Sequence, residues 1–146
     1  MAMYTAIDRV TPVTRAVGEN LLMRISSHDA MDAIRRGNGT NDHLKVITNV
    51  SNMAETLAVL YGIKKEWLPE ISAAQLSLKA LAERGARIGR YVLKAEELNA
   101  LNLLIQINDD QLDACSVHTL GEASQFISSQ IAAGNSLTLP TIKAAA

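Results

Sequence analysis

The chain has 146 residues, with 14 Lys and Arg against 15 Asp and Glu for a net charge of −1, a size that suits one domain with a substantial core. That balance lacks the strongly basic footprint of a dedicated nucleic-acid binder, and a single cysteine, Cys115, excludes an internal disulfide framework and a multi-cysteine zinc site. Apolar runs are short and no basic-then-apolar leader opens the sequence, so we expect no signal peptide, no membrane span and a cytoplasmic location.

Residues 1–26 have no clean period and contain Pro12 and Gly18, which predicts an irregular or short-element arm docked through Ile7, Val10, Val13 and Leu21-Leu22. Ser27 reads as the N-cap of a short helix from His28 to Arg36, closed by two cations and Gly37. Thr40 or Asn41 caps a longer helix that runs to Tyr61 and stops at Gly62. Its apolar stripe is Leu44, Ile47, Val50, Ala54, Leu57, Ala58 and Tyr61, at steps of three and four.

The third helix begins near Lys65 to Leu68, because Pro69 is tolerated only in a first turn. Trp67, Ile71, Ala74, Leu78, Leu81, Ala82, Gly85, Ile88 and Gly89 share one arc, and the helix is expected to end between Gly89 and Val92. A fourth helix spans Lys94 to Ala114 with Leu98, Leu101, Leu104, Ile105, Leu112 and Cys115 on one face and Asn108 among them. A fifth starts at Ser116 or at Thr119, where Thr119-Leu-Gly-Glu122 matches a capping box, and ends at Gly134. Its stripe is Val117, Leu120, Ala123, Ile127 and Ile131. Residues 135–146 are small and polar and contain Pro140, which predicts a loose tail. The fold class is all-α: a compact bundle of about five helices over 27–134, flanked by the arm and the tail.

Charge is sorted along this frame. Lys79, Arg84, Arg87, Arg90 and Lys94 would form a basic ridge on a continuous third helix, whereas from Ala95 to Ile142 every charged residue is acidic. Guanidinium groups offer paired donors to phosphate or carboxylate oxygens. The ridge therefore reads as a solvated helix face, as a dock for an acidic protein surface, or as a nucleic-acid contact. Only Tyr91 is interleaved with it, so a stacking platform for single strands is weak.

Gly85 and Gly89 lie four apart on the buried side of the same helix. Mid-helix glycine costs about 1 kcal/mol each against alanine. Close approach of another helix, within the fold or across a dimer, would offset that cost, unless Gly89 is simply the helix cap. Leu76 and Leu103 fall on polar faces and are further candidates for a dimer contact. Asn49, Asn52, Asn99, Asn102 and Asn108 interrupt or border apolar stripes and are expected at helix–helix or subunit contacts.

Little here points to catalysis. Asp109, Asp110 and Asp113 make an acidic face on the fourth helix without a ligand-spacing signature, so no metal is expected. Cys115 and His118 are the only nucleophile–base pair, and Cys115 sits on an apolar stripe where a small buried hydrophobe is the ordinary reading. His28 with Asp29 and Asp32, and His43 with Asp42, are explained by helix starts. No phosphate loop or cofactor signature is present, since Gly37-Asn38-Gly39 lacks a following Lys-Ser/Thr.

The stretch from Glu83 to Ala123, with Glu-Arg-Gly-Ala-Arg-Ile-Gly-Arg-Tyr-Val-Leu and Asp-Asp-Gln-Leu-Asp-Ala-Cys, resembles a group of small helical proteins of proteobacterial prophages and other mobile elements. That resemblance extends loosely from His28 to Ala133 and carries no catalytic residues. It implies an accessory protein that binds host or phage machinery. Together these readings lead us to expect a non-catalytic helical interaction module, homodimeric, without cofactor, and with nucleic-acid binding through the arginine ridge as the alternative.

Overall fold

The computed structural model describes residues 4–6 and 19–143, with side chains from Leu21 onward. It is all-α: five helices, α1 (Glu19–Arg35), α2 (Asn41–Tyr61), α3 (Leu68–Ile88), α4 (Ala95–Asp113) and α5 (Val117–Ala132), pack into one bundle. A parallel pair of three-residue strands, β1 (Tyr4–Ala6) and β2 (Ser136–Thr138), joins the two ends of the chain in register Tyr4 to Ser136.

The bundle is organised around α2, which touches each of the other four helices. Every residue from Val50 to Ala58 is buried, so this helix needs small or hydrogen-bonded groups where it turns a polar side inward. Thr48 and Thr56 satisfy that need by donating to the carbonyls of Leu44 and Asn52, and Glu55 accepts from Gln75 Nε2 of α3 at 2.9 Å. Leu44, Ile47, Leu57, Leu78, Leu81, Leu101 and Leu104 are fully buried, each worth about 1.5–3 kcal/mol against exposure.

The ends of α2 follow the sequence reading. Thr40 adopts extended backbone and its Oγ1 accepts from the His43 amide, while His43 Nδ1 accepts from the Thr40 amide at 3.0 Å. Gly62 terminates the helix at φ 68°. Pro69 sits in the first turn of α3 and Gly89 caps its end at φ 83°.

Three expectations need correction. The arm does not extend to residue 26, because α1 starts at Glu19 and Ser27 lies inside it, buried, with its Oγ donating to the Arg24 carbonyl at 2.9 Å. The early turns of α1 hide from a periodicity reading because Leu21 and Leu22 point outward, 63% and 60% exposed. They are not docking residues, and Ile7, Val10 and Val13 lie outside the described residues. An ion pair from Arg24 to Asp113 and a hydrogen bond between His28 and Asp109 tie this part of α1 to α4 instead.

The second correction concerns stripe ends. Tyr61, Trp67, Ile88 and Val117 are exposed, since each stands at a helix terminus where the apolar arc runs off the edge of the core. The third concerns the tail. Leu139 is buried in the main core, and Leu137 and Ile142 pack against it, so residues 136–143 form a docked strap. Small polar composition suggested looseness, but the apolar residues at 137, 139 and 142 are enough to hold an extended segment down.

Candidate functional site

The basic run divides on folding. Arg84 faces inward, its side chain only 14% exposed, and makes a two-pronged pair with Glu97 of α4 at 2.8 and 2.7 Å. It also donates to the Val92 carbonyl, while the Lys94 amide donates to Glu97 Oε1 at 2.9 Å. The Arg84 hydrogen bond holds the Glu97 carboxyl below its usual range, with burial opposing. Arg84 is thus a clasp for the connection between α3 and α4, and it is removed from the expected ridge. A continuous ridge is also ruled out by geometry, because Gly89 ends α3 and Arg90 lies beyond the cap. Lys79 leans toward Glu83 at 3.8 Å, and Lys94 is exposed at the start of α4.

Arg87 and Arg90 remain on the surface, and Lys143 of the docked strap joins Arg87. The strap runs past the end of α3, leaving an open groove of about 560 Å³ lined by Glu83, Ala86, Arg87, Gly89 and residues 140–143. Arg87 from α3 and Lys143 from the strap are its cationic groups. Among the described residues neither has an ion-pair partner, and Arg90 has none. Ala86, Pro140 and Ile142 supply an apolar lining, and Glu83 adds one carboxylate. No signal in the sequence marked Lys143, because its relevance depends on the strap being docked.

The glycines are absorbed within the chain. A Cβ on Gly85 would run into the ring of Tyr91, which is 2% exposed, so Gly85 makes room for a side chain of the following loop rather than for another helix. Gly89 has open space around it and serves as the cap. Leu103 is half-buried against the core, and Leu76 is strongly exposed, at 64%. Asn52 and Asn108 are buried, Asn49 is half-buried, and Asn99 and Asn102 face outward.

Two members of the acidic face of α4 are also committed. Asp113 accepts from Arg24 at 2.6 Å and Asp109 pairs with His28 at 2.8 Å, leaving Asp110 exposed. No group of three or more metal-ligating side chains occurs among the described residues. Cys115 Sγ donates to the Ser116 carbonyl and burial pushes the thiol up, away from the thiolate a nucleophile needs. His118 sits beside Glu122 at 3.3 Å on the outer face of α5, and Ser116 rather than Thr119 caps that helix. Cys115, His118 and Asp113 therefore each have a separate partner. No helix among the described residues is long and apolar enough to cross a membrane.

No family model matches the chain, and neither a curated protein nor a solved structure matches it.

Proposed function

We propose that the chain is a non-catalytic interaction module that holds an acidic segment of a partner protein in the groove between the end of α3 and the strap. The observation that carries this reading is that Arg87 and Lys143, without ion-pair partners among the described residues, line one groove together with Ala86, Pro140 and Ile142. Two cations with an aliphatic floor suit a peptide that combines carboxylates with apolar side chains. A uniform phosphate backbone fits less well, since Glu83 stands on the same rim and the chain carries a net charge of −1. The resemblance to mobile-element proteins would make the partner a host or phage protein. Self-association contributes little to this reading, because Gly85, Gly89 and Leu103 have roles within the chain.

The test is a titration of the 15N-labelled protein with a probe peptide of alternating Glu and Leu, followed by amide shifts. Changes should concentrate at residues 86–89 and 141–143 and vanish in an Arg87→Glu/Lys143→Glu variant. If duplex DNA moves these amides and the peptide does not, with a log–log salt slope of about −3 for three phosphate contacts, nucleic-acid binding replaces the proposal. Shifts scattered over the surface would end both readings.

A further inference from the structure

The strap is held by a backbone-reading clasp. Asn41, in the first turn of α2, donates from Nδ2 to the Ile142 carbonyl at 2.8 Å and accepts the Ile142 amide at Oδ1 at 3.1 Å. Tyr91 donates its hydroxyl to the same Oδ1 at 2.6 Å. One side-chain amide thus pairs with both polar groups of one strap residue, as a neighbouring strand would, without reading the residue's own side chain. Specificity comes from elsewhere: Leu139 fills a place in the core, Leu137 and Ile142 pack on its edge, and β2 adds backbone pairing to β1.

The cradle is therefore an acceptor for an extended aliphatic peptide, and its present occupant is joined to α5 by a short hinge. That hinge is Ala133-Gly134-Asn135, with Gly134 at φ 80° and the Asn135 amide closing onto the Gln130 carbonyl at 2.9 Å. We propose that the acceptor takes the strap of a second copy of this chain, so that two copies exchange residues 136–143 and each completes the other's cradle. A second strap is the one segment whose fit is already on view, residue for residue. Exchange replaces every contact of the strap by an identical one, so its cost lies mainly in hinge opening and lost freedom of the second copy. A short tether gives the strap an effective concentration of order millimolar in its own cradle. Exchange is accordingly negligible at micromolar concentration and substantial as the protein approaches the millimolar range.

Complementation of two full-length variants tests this independently of the groove. Asn41→Asp keeps the shape of the side chain but cannot donate to Ile142 and sets a carboxylate against the Ile142 carbonyl, which weakens the cradle around an intact strap. Leu139→Asp/Ile142→Asp leaves an intact cradle without a strap. Each alone should run as a monomer, and the mixture should give a 1:1 complex of twice the 15.7 kDa chain mass by light scattering. A mixture that stays monomeric, with both variants folded by circular dichroism and their straps open by amide exchange, overturns the proposal. Should either variant fail to fold, or its strap stay docked, the wild-type chain decides. In an equal mixture of 13C-labelled and unlabelled protein at about 1 mM, intermolecular contacts between Ile142 and the Tyr91 ring are expected, and their absence overturns exchange equally.

Discussion

Arg84 and Glu97 face each other across the α3–α4 connection with both prongs of the guanidinium engaged, at 2.8 and 2.7 Å. This pair converts what reads as the centre of a basic surface into an internal fastening. Removing one partner leaves the other largely buried and uncompensated. Arg84→Ala or Glu97→Gln should each cost about 3 kcal/mol in chemical denaturation, far more than Arg87→Ala, which should change stability by less than about 0.5 kcal/mol.

The same pair sets an acid dependence. The Glu97 carboxyl is held below its ordinary 4.5, chiefly by Arg84, so its folded pKa is lower than its unfolded one. Its stabilising contribution is present above the unfolded value and is lost as pH falls through the folded value. Wild-type stability should therefore decline below about pH 4.5, and the decline should be shallower in Glu97→Gln when unfolding is followed by circular dichroism.

Gly85→Ala ought to be favourable by helix propensity and should nevertheless destabilise. The added methyl meets the buried Tyr91 ring, and overpacking of this kind costs about 1–3 kcal/mol. Making the same change in a Tyr91→Ala background should reverse the sign, because propensity alone then remains. A double-mutant cycle in denaturant measures the coupling directly; independent effects of the two changes would show that the ring is not what requires glycine.

Tyr91 gives an alkaline counterpart. Burial raises its hydroxyl above the ordinary 10.0, partly opposed by the Ile142 amide. A raised folded pKa means that the contribution is complete below the unfolded value and is lost as pH rises through the folded one. Stability should drop above about pH 10, and Tyr91→Phe should remove part of that drop. The comparison must be between these two proteins, because Tyr61 and Cys115 are raised as well and add to the same limb.

Gln111 is fully buried and its Nε2 donates to the carbonyls of Ala54 and Ile63 at 2.9 and 3.0 Å, fastening α4 to the turn after α2. Gln111→Leu fills the volume but leaves Ile63 without this donor, and thermal unfolding should report a loss of about 1–3 kcal/mol. A neutral result would mean that these carbonyls find other donors.

What was legible in the sequence follows from the range of the forces involved. Capping at Thr40 and Gly62, the placement of Pro69 and the stripe from Ile71 to Ala82 are local matters of spacing, and they carried over to the folded chain. Gly89 as a cap was a local alternative and is realised. Apart from the stripe ends at Tyr61, Trp67, Ile88 and Val117, which run off the edge of the core, and Gly85, which answers to the nearby Tyr91, the misread features depend on distant partners. Arg84 has the same helical phase as a solvated residue, and only the return of Glu97 from α4 turns it inward. The first turns of α1 are secured by Asp109 and Asp113, some eighty to ninety positions away, so no stripe in α1 announces them. The strap needs Asn41 and Tyr91, and without it Lys143 has no groove to line. Arg87 and Arg90 were recognisable as surface cations, but the apolar residues that line a groove with Arg87 were not.

The central claim is that the Arg87–Lys143 groove binds a protein. It is tested most directly by affinity capture from lysate of the native cells, with and without nuclease, comparing wild type with a folded Arg87→Glu/Lys143→Glu variant. Wild type should retain a discrete protein that survives nuclease and is lost from the variant. Equal recovery by the two forms, or capture that disappears with nuclease, would contradict the account.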